Sequence, residues 1–478
     1  MKYFTNKSAT FAVFAFTALF SPVFAAEEEV VTTTNPTSSS STDAAATSAD
    51  ANGTATSTTG NGNFGATAAS SGAVTSSTGT PTLERNSSGV GVFSPTPLQI
   101  SATVSGGYDD NVSTAHTNKQ SSAFAGANAI LDYTFGDPRL QLVLNGGGGL
   151  TYYFSHISNQ DYDIDLKGAL GITYKASPRL TLGGSLLVDY LTEPSFQYTG
   201  GLNSRNGNYL YTTDRAFLQY AWTQRFATRT SYTFEAYNYD KNTVAVFSNR
   251  VSNLFGNEFR FQWLPTTSLI AEYRYGIITY EHEGDVVIPA QFNIFGMQIA
   301  PPVRLEQDST THYALVGFDH AFNPRLSATF RGGAQFRSYD NDGDRTAPYF
   351  ESNVNYALGR RTSVSWVSHY GIEEPDLPSS QNRTTFRSGL QTKFSLTSRT
   401  SAAVDLFYVH DDYHSLNAGL STAPAFSEDT FDAGLTLRYG ITGLLGVQVG
   451  YHYTDVTSDV AAREYSRNRV SGGVNVTF

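Results

Sequence analysis

The sequence predicts an all-β fold: a transmembrane, antiparallel, up-and-down β-barrel of about 18 strands. Three observations carry this. The last nine residues alternate, with Val470, Gly472, Val474, Val476 and Phe478 on one face and Ser471, Gly473, Asn475 and Thr477 on the other, as in a strand wedged between lipid and water. Short turn signals recur roughly every forty residues, a hairpin's length for long strands. Tyr (29), Phe (32) and Gly (42) are abundant, yet the mean hydropathy is only -0.27. Helical spans would make the chain much more apolar, whereas spanning strands bury only alternate residues in lipid.

Composition removes several classes of function. The chain has no Cys, which excludes disulfides, thiolate metal sites and cysteine nucleophiles. A net charge of -11 argues against a nucleic-acid partner. Lys2 and Lys7, the apolar stretch Ala9 to Phe20 and the Val23-Phe24-Ala25 cleavage positions predict a signal peptide over residues 1–25. Residues 26–96 are Ser, Thr, Ala, Gly and Asn with almost no aromatics, too little apolar surface to offset ordering entropy. A disordered periplasmic tail is expected there, with envelope partners as its conceivable use.

The barrel is expected over residues 97–478. Turn signals lie at Asp137-Pro138-Arg139, Ser177-Pro178-Arg179, Gln224-Arg225, Pro265-Thr266-Thr267, Asn323-Pro324-Arg325, Arg360-Arg361, Ser398-Arg399 and Ile441-Thr442-Gly443. Between them run longer polar stretches: 109–119, 155–160, 192–208, 240–248, 281–308, 339–346, 372–383, 412–426 and 456–465. Eight turns and nine loops make seventeen connections, hence eighteen strands with both ends on the short-turn, periplasmic side.

Each strand also has two faces. Phe255, Phe259, Phe261 and Trp263 alternate with Glu258, Arg260 and Gln262, while Leu326, Ala328, Phe330 and Phe336 stand against Thr329, Arg331, Gln335 and Arg337. A cation facing lipid at the midplane costs roughly 2–4 kcal/mol, so the charged faces should line the lumen. This predicts pore-lining roles for Arg229, Glu235, Glu258, Arg260, Glu272, Arg274, Arg331, Arg337, Arg387, Lys393, Asp405, Arg438 and Arg469. A three-residue turn at Pro265 to Thr267 would pair Glu258 with Arg274 and Arg260 with Glu272. Trp222, Trp263 and Trp366 should mark the periplasmic interface, and Tyr108, Tyr152, Tyr190, Tyr239, Tyr280 and Tyr339 an outer aromatic girdle.

Motifs for chemistry are few. Gly146 to Gly149 lies inside a strand with no helix to follow, so it reads as wall smoothing rather than a phosphate cradle. Asp340-Asn341-Asp342-Gly343-Asp344 has its Gly in the wrong place for a calcium loop and no closing Glu. His410 and His414 straddle a strand end, and the adjacent Ser368 and His369 point to opposite faces. No enzyme activity, metal or cofactor is expected. The apolar middle of the longest loop, Val286 to Phe295, should narrow the mouth, pack on a partner, or extend the neighbouring strands outward.

Gly106-Gly107-Tyr108-Asp109-Asp110-Asn111-Val112, closing the first strand, resembles a sequence near the start of β-barrel outer-membrane porin-type proteins associated with exopolysaccharide-synthesis clusters. The resemblance covers residues 97–478 and implies a bacterial outer-membrane location. It implies no catalytic or ligand residue. Two functions compete: passive diffusion of small hydrophilic solutes through a porin-like channel, or a part in exopolysaccharide export or assembly. The partners expected are outer-membrane lipid and the barrel-assembly machinery, the latter through the terminal strand ending in Phe478.

Overall fold

Alternation over twelve to sixteen residues gives strands far longer than the five or six usual in soluble sheets. The computed structural model describes residues 98–478 apart from 138, 156–160, 193–206, 283–285, 289–290, 293–297, 301–302, 305–306, 341–342, 360, 378–379 and 416–424. The expected signal peptide and tail lie outside the described residues. In chain order the first strands are β1 (Leu98–Asp109), β2 (Ser122–Gly136), β3 (Leu140–Tyr153), β4 (Tyr162–Lys175), β5 (Leu180–Thr192), β6 (Asn208–Ala221), β7 (Phe226–Tyr239), β8 (Arg250–Leu264) and β9 (Thr267–Tyr280). Four short strands follow, β10 (Val286–Ile288), β11 (Gln291–Phe292), β12 (Gln298–Ala300) and β13 (Val303–Arg304). The wall resumes with β14 (Ser309–Asn323), β15 (Leu326–Tyr339), β16 (Asp344–Leu358), β17 (Thr362–Glu373), β18 (Ser380–Ser395), β19 (Thr400–Ser415), β20 (Phe426–Gly440), β21 (Leu445–Ser458) and β22 (Tyr465–Thr477).

The eighteen long strands form one antiparallel sheet, β9 pairing with β14 and β1 with both β2 and β22. That last pairing closes the barrel and leaves no free edge. Lipid-facing side chains are apolar and exposed, among them Val104, Leu150, Leu166, Phe255, Phe259, Val316, Leu437 and Val470. The buried side chains of the wall include many that are polar or charged, among them Asp163, Glu258, Arg260, Arg331 and Asp432. Trp222, Trp263 and Trp366 are exposed beside the short turns, where an interfacial belt belongs.

The turns share one construction. At six of the eight, a side-chain oxygen accepts the amides two and three residues ahead: Asp137 from Arg139 and Leu140 (both 2.7 Å), Ser177 from Arg179 (3.2 Å) and Leu180 (3.0 Å), and Thr223 from Arg225 (3.2 Å) and Phe226 (3.0 Å). Asn323, Thr397 and Thr442 repeat it toward Arg325 and Leu326, Arg399 and Thr400, and Leu444 and Leu445. Asx and Ser/Thr turns of this kind reverse the chain at little cost. The Leu140 amide, then that of Arg139, holds the Asp137 carboxyl below its ordinary pKa.

The seam explains the Gly106 to Val112 motif. A Cβ on Gly107 would sit 2.0 Å from the Val470 carbonyl oxygen and 2.5 Å from Phe124 Cζ, so only glycine permits this approach. Arg467 donates to both Asp109 oxygens (Nη2–Oδ2 2.5 Å, Nε–Oδ1 3.1 Å). Asn468 donates its backbone and side-chain N–H groups to Asp110 (both 2.7 Å). Asn111 Nδ2 donates to the Ser466 carbonyl (3.1 Å), and Val112 packs with Phe124 and Tyr153. Each polar residue of the motif clasps the final strand.

Three expectations need correction. The turn between β8 and β9 holds two residues, Pro265 and Thr266, and a bulge lies between Gln262 and Leu264. The register therefore sets Glu258 opposite Glu272, Arg274 opposite Gly256 and Arg260 opposite Ile270. Tyr108 and Tyr152 face outward, but Tyr239, Tyr280 and Tyr339 are buried on the inner side. They share parity with Glu235, Arg274 and Arg337, so strand alternation turns them inward. Finally, the stretch 240–248 contains the helix α1 (Asn242–Ser248), whose Ala245 joins Leu191, Tyr209, Tyr211, Tyr237 and Tyr239 in an inner apolar cluster.

Candidate functional site

Alternation aims one residue in two at the lumen, and six neighbouring strands aim charges at one level. Arg260 Nη1 lies 3.0 Å from Glu258 Oε2, and its other terminal nitrogen bonds Asp319. Arg331 reaches Asp319 (2.9 Å), Glu258 (3.9 Å) and Glu272 (3.8 Å). Arg274 Nη2 spans Glu272 (3.0 Å) and Glu351 (2.7 Å), while its Nη1 donates to the Tyr349 hydroxyl (3.2 Å). Arg229 stands across from Glu258, its guanidinium 4.1 Å over the Phe217 ring. Cations and carboxylates alternate across β7, β8, β9, β14, β15 and β16, so the repulsion between the side-by-side Glu258 and Glu272 is offset by Arg331, which lies within 4 Å of both, and by Arg274 beside Glu272.

A cavity of about 430 Å³ opens beside this network. One side is lined by Glu258, Glu272, Arg274 and Tyr349, and the other by Val143, Gly171, Thr173 and Ser185. Glu235, which accepts the Tyr211 hydroxyl at 2.6 Å, faces it too.

Nearer the long loops a second network gathers. Arg337 pairs with Glu374 and donates to Ser309 Oγ (2.8 Å), and Tyr280 donates its hydroxyl to Glu374. Arg383 approaches Asp411 (3.4 Å) and Glu373 (3.6 Å). Two long loops are tied together where Arg463 Nη2 meets Asp376 (2.8 Å) while its Nε holds Glu428 (2.7 Å). Burial pushes the Asp376 carboxyl up, but Arg463 and Arg383 outweigh it and hold the pKa below its usual value. At Asp308 burial prevails over the Tyr280 amide and raises the pKa.

The structure thus joins Arg229, Glu258, Arg260, Glu272, Arg274 and Arg331 in one level, and Arg337 in another. Arg387 is buried across from His369. Lys393, Asp405 and Arg438 have inward parity closer to the short turns, and Arg469 lies at the seam, 4.3 Å over the Phe124 ring. Sequence reading overlooked Asp319, Glu351, Tyr349, Glu374, Asp376, Arg383 and Arg463. Parity marks the strand residues among these, but the three from loops, Glu374, Asp376 and Arg463, carry no such signal.

Among the described residues no group of three or more His, Asp or Glu is placed to hold a metal ion. His410 Nδ1 lies 2.8 Å from Asp429 and its Nε2 3.4 Å from Asp412. Asn341 and Asp342 of the calcium-like sequence lie outside the described residues, and Asp344 accepts a hydrogen bond from Ser338 (2.6 Å). In the longest loop β10 pairs with β13 and β11 with β12, a nested antiparallel arrangement.

Residues 89–478 match the family described as "Putative beta-barrel porin 2". No curated protein matches the chain. Solved structures similar to it include the siderophore receptor PirA from Acinetobacter baumannii, at 8% identity over 81% of either chain with a TM-score of 0.40. OccAB4 from the same organism is similar at 12% identity, over 80% of this chain and 99% of that one, with a TM-score of 0.38. OccK11 (OpdR) from Pseudomonas aeruginosa is similar at 13% identity, over 80% and 96%, with a TM-score of 0.38.

Proposed function

The chain belongs to this β-barrel porin family, and on that premise we propose that it is a channel of the bacterial outer membrane for passive diffusion of small hydrophilic solutes. The observation that carries the reading is the charged level beside the lumenal cavity. Arg229, Arg260, Arg274 and Arg331 stand with Glu258, Glu272, Asp319 and Glu351, four cations to four anions, so the wall offers many hydrogen-bonding groups and no net charge. Such a wall can replace part of a solute's hydration without holding either sign of ion tightly. An eighteen-stranded barrel is wide enough for an aqueous path.

The reading assigns no catalysis. It includes recognition of the terminal strand by the assembly machinery, for which Phe478 is 69% exposed while its backbone N–H donates to Ile100 (2.8 Å). Exopolysaccharide export draws its support from the Gly106 to Val112 motif, whose side chains are engaged in closing the seam.

Conductance of the purified protein in a planar bilayer tests the proposal. Stable open steps with potassium and chloride permeabilities of the same order are expected. A folded barrel that leaves the bilayer's conductance unchanged, combined with loss of surface polymer on gene deletion, would replace this reading with the export one.

A further inference from the structure

The six side-chain-capped turns use the backbone amide of their third residue, not its side chain. Leu444 fills that position in one of them without changing the geometry. Yet the other five place arginine there: Arg139, Arg179, Arg225, Arg325 and Arg399. All five are exposed, as is Arg361 in a seventh turn. Turn chemistry therefore gives no reason for the guanidinium.

The surroundings give one. Large lipid-facing side chains stand three or four residues before four of the five arginines: Phe135 (52% exposed), Trp222 (55%), Phe322 (58%) and Leu396 (54%). The guanidinium groups accordingly sit where the hydrocarbon ends. Asp137 is the single acid of the described short turns, and its carboxylate already accepts two amides. The described long loops of the opposite rim carry more acids than bases, with Asp110, Asp161, Asp240, Glu281, Asp340 and Asp459 against Lys119, Lys241 and Arg463.

We infer that the short-turn rim is a docking surface for anionic phospholipid, its arginines binding headgroup phosphates of the leaflet they face. Guanidinium presents a planar fork of donors that matches phosphate oxygens two at a time. A cation beside an anionic leaflet gains attraction that decays within a Debye length, which is why placement at the hydrocarbon edge matters. Spaced around the rim, the arginines would fix the depth of the barrel without tying it to one lipid molecule.

The full chain, reconstituted in phosphatidylcholine vesicles with a minor fraction of phosphatidylglycerol, gives the test through spin-labelled lipids. The wild type should immobilise labelled phosphatidylglycerol several-fold more than labelled phosphatidylcholine. The variant carrying R139Q, R179Q, R225Q, R325Q and R399Q should lose that preference, while heat-modifiable migration in gels reports that its barrel is folded. The corresponding five lysine substitutions should keep part of it. Equal immobilisation of both lipids by the wild type would overturn the inference and direct the arginines toward an acidic protein partner. Persistence of the preference in a folded glutamine variant would overturn it as well. Loss of the preference in phosphate buffer, but not in chloride of equal ionic strength, would assign the sites to free phosphate instead.

Discussion

The two walls that face each other across the lumenal cavity solve the same problem in opposite ways. On β7 to β9 and β14 to β16, long charged side chains fill the inner face and neutralise one another. On β3 to β5, the inner face carries Gly147, Gly149, Gly171, Gly183 and Ser185, and the space comes from missing side chains. The first wall is expensive to damage, since each buried charge depends on its neighbours. The second is tolerant wherever no neighbour has moved into the gap. Position along a strand does not set sensitivity; the neighbours across it do.

Replacing Arg274 with Met should give the largest effect. Glu272 and Glu351 would lose the guanidinium they share, a loss of about 3–5 kcal/mol for a buried pair, read as a lowered urea midpoint of the detergent-folded barrel. The same variant should shift permeability toward cations, because two carboxylates remain. A midpoint within error of wild type would erase the contrast between the walls.

Within the glycine wall the contrast can be sharpened. A Cβ on Gly183 would lie 2.2 Å from Phe217 Cε1, and that ring supports Arg229. Gly183→Ala should therefore cost about 1–3 kcal/mol by overpacking, in the same urea measurement. Gly171 meets nothing nearer than the Val143 carbonyl oxygen at 3.9 Å. Gly171→Gln should leave stability within about 0.5 kcal/mol and lower single-channel conductance, because the added side chain enters the cavity.

The smallest effect concerns the loops. Asp376 has a folded-state pKa below its ordinary 3.8, so its contribution is complete above that value and is lost as the pH falls through the lower, folded one. The tie between Asp376 and Arg463 should hold at about pH 5 and release only in stronger acid. Protease cleavage within 374–377, followed against pH, reads this directly; release already near pH 5 would mean that Arg463 does not govern the carboxyl.

Legibility followed the range of the interaction. Strand number, turn positions and closure of β22 on β1 were readable because each rests on local alternation and punctuation. Inward placement of Glu258, Arg260, Glu272 and Arg274 was readable for the same reason. Their pairing was not, because one bulge near Trp263 and a two-residue turn shift the register that a three-residue turn would set. Strand parity marks Tyr239, Tyr280 and Tyr339 as inward, although their place at strand ends fits an interfacial girdle equally well.

By itself, then, the sequence determined the barrel, its strand count and which faces carry charge, since period-two alternation is a local property that lipid and water read strand by strand. Only the tertiary structure decided which charges meet. Arg274 finds Glu351 from β16, Arg463 finds Asp376 across two loops, and Asp109 finds Arg467 at the seam. Those encounters depend on register and loop placement, which bring together residues 77, 87 and 358 positions apart and leave no local trace.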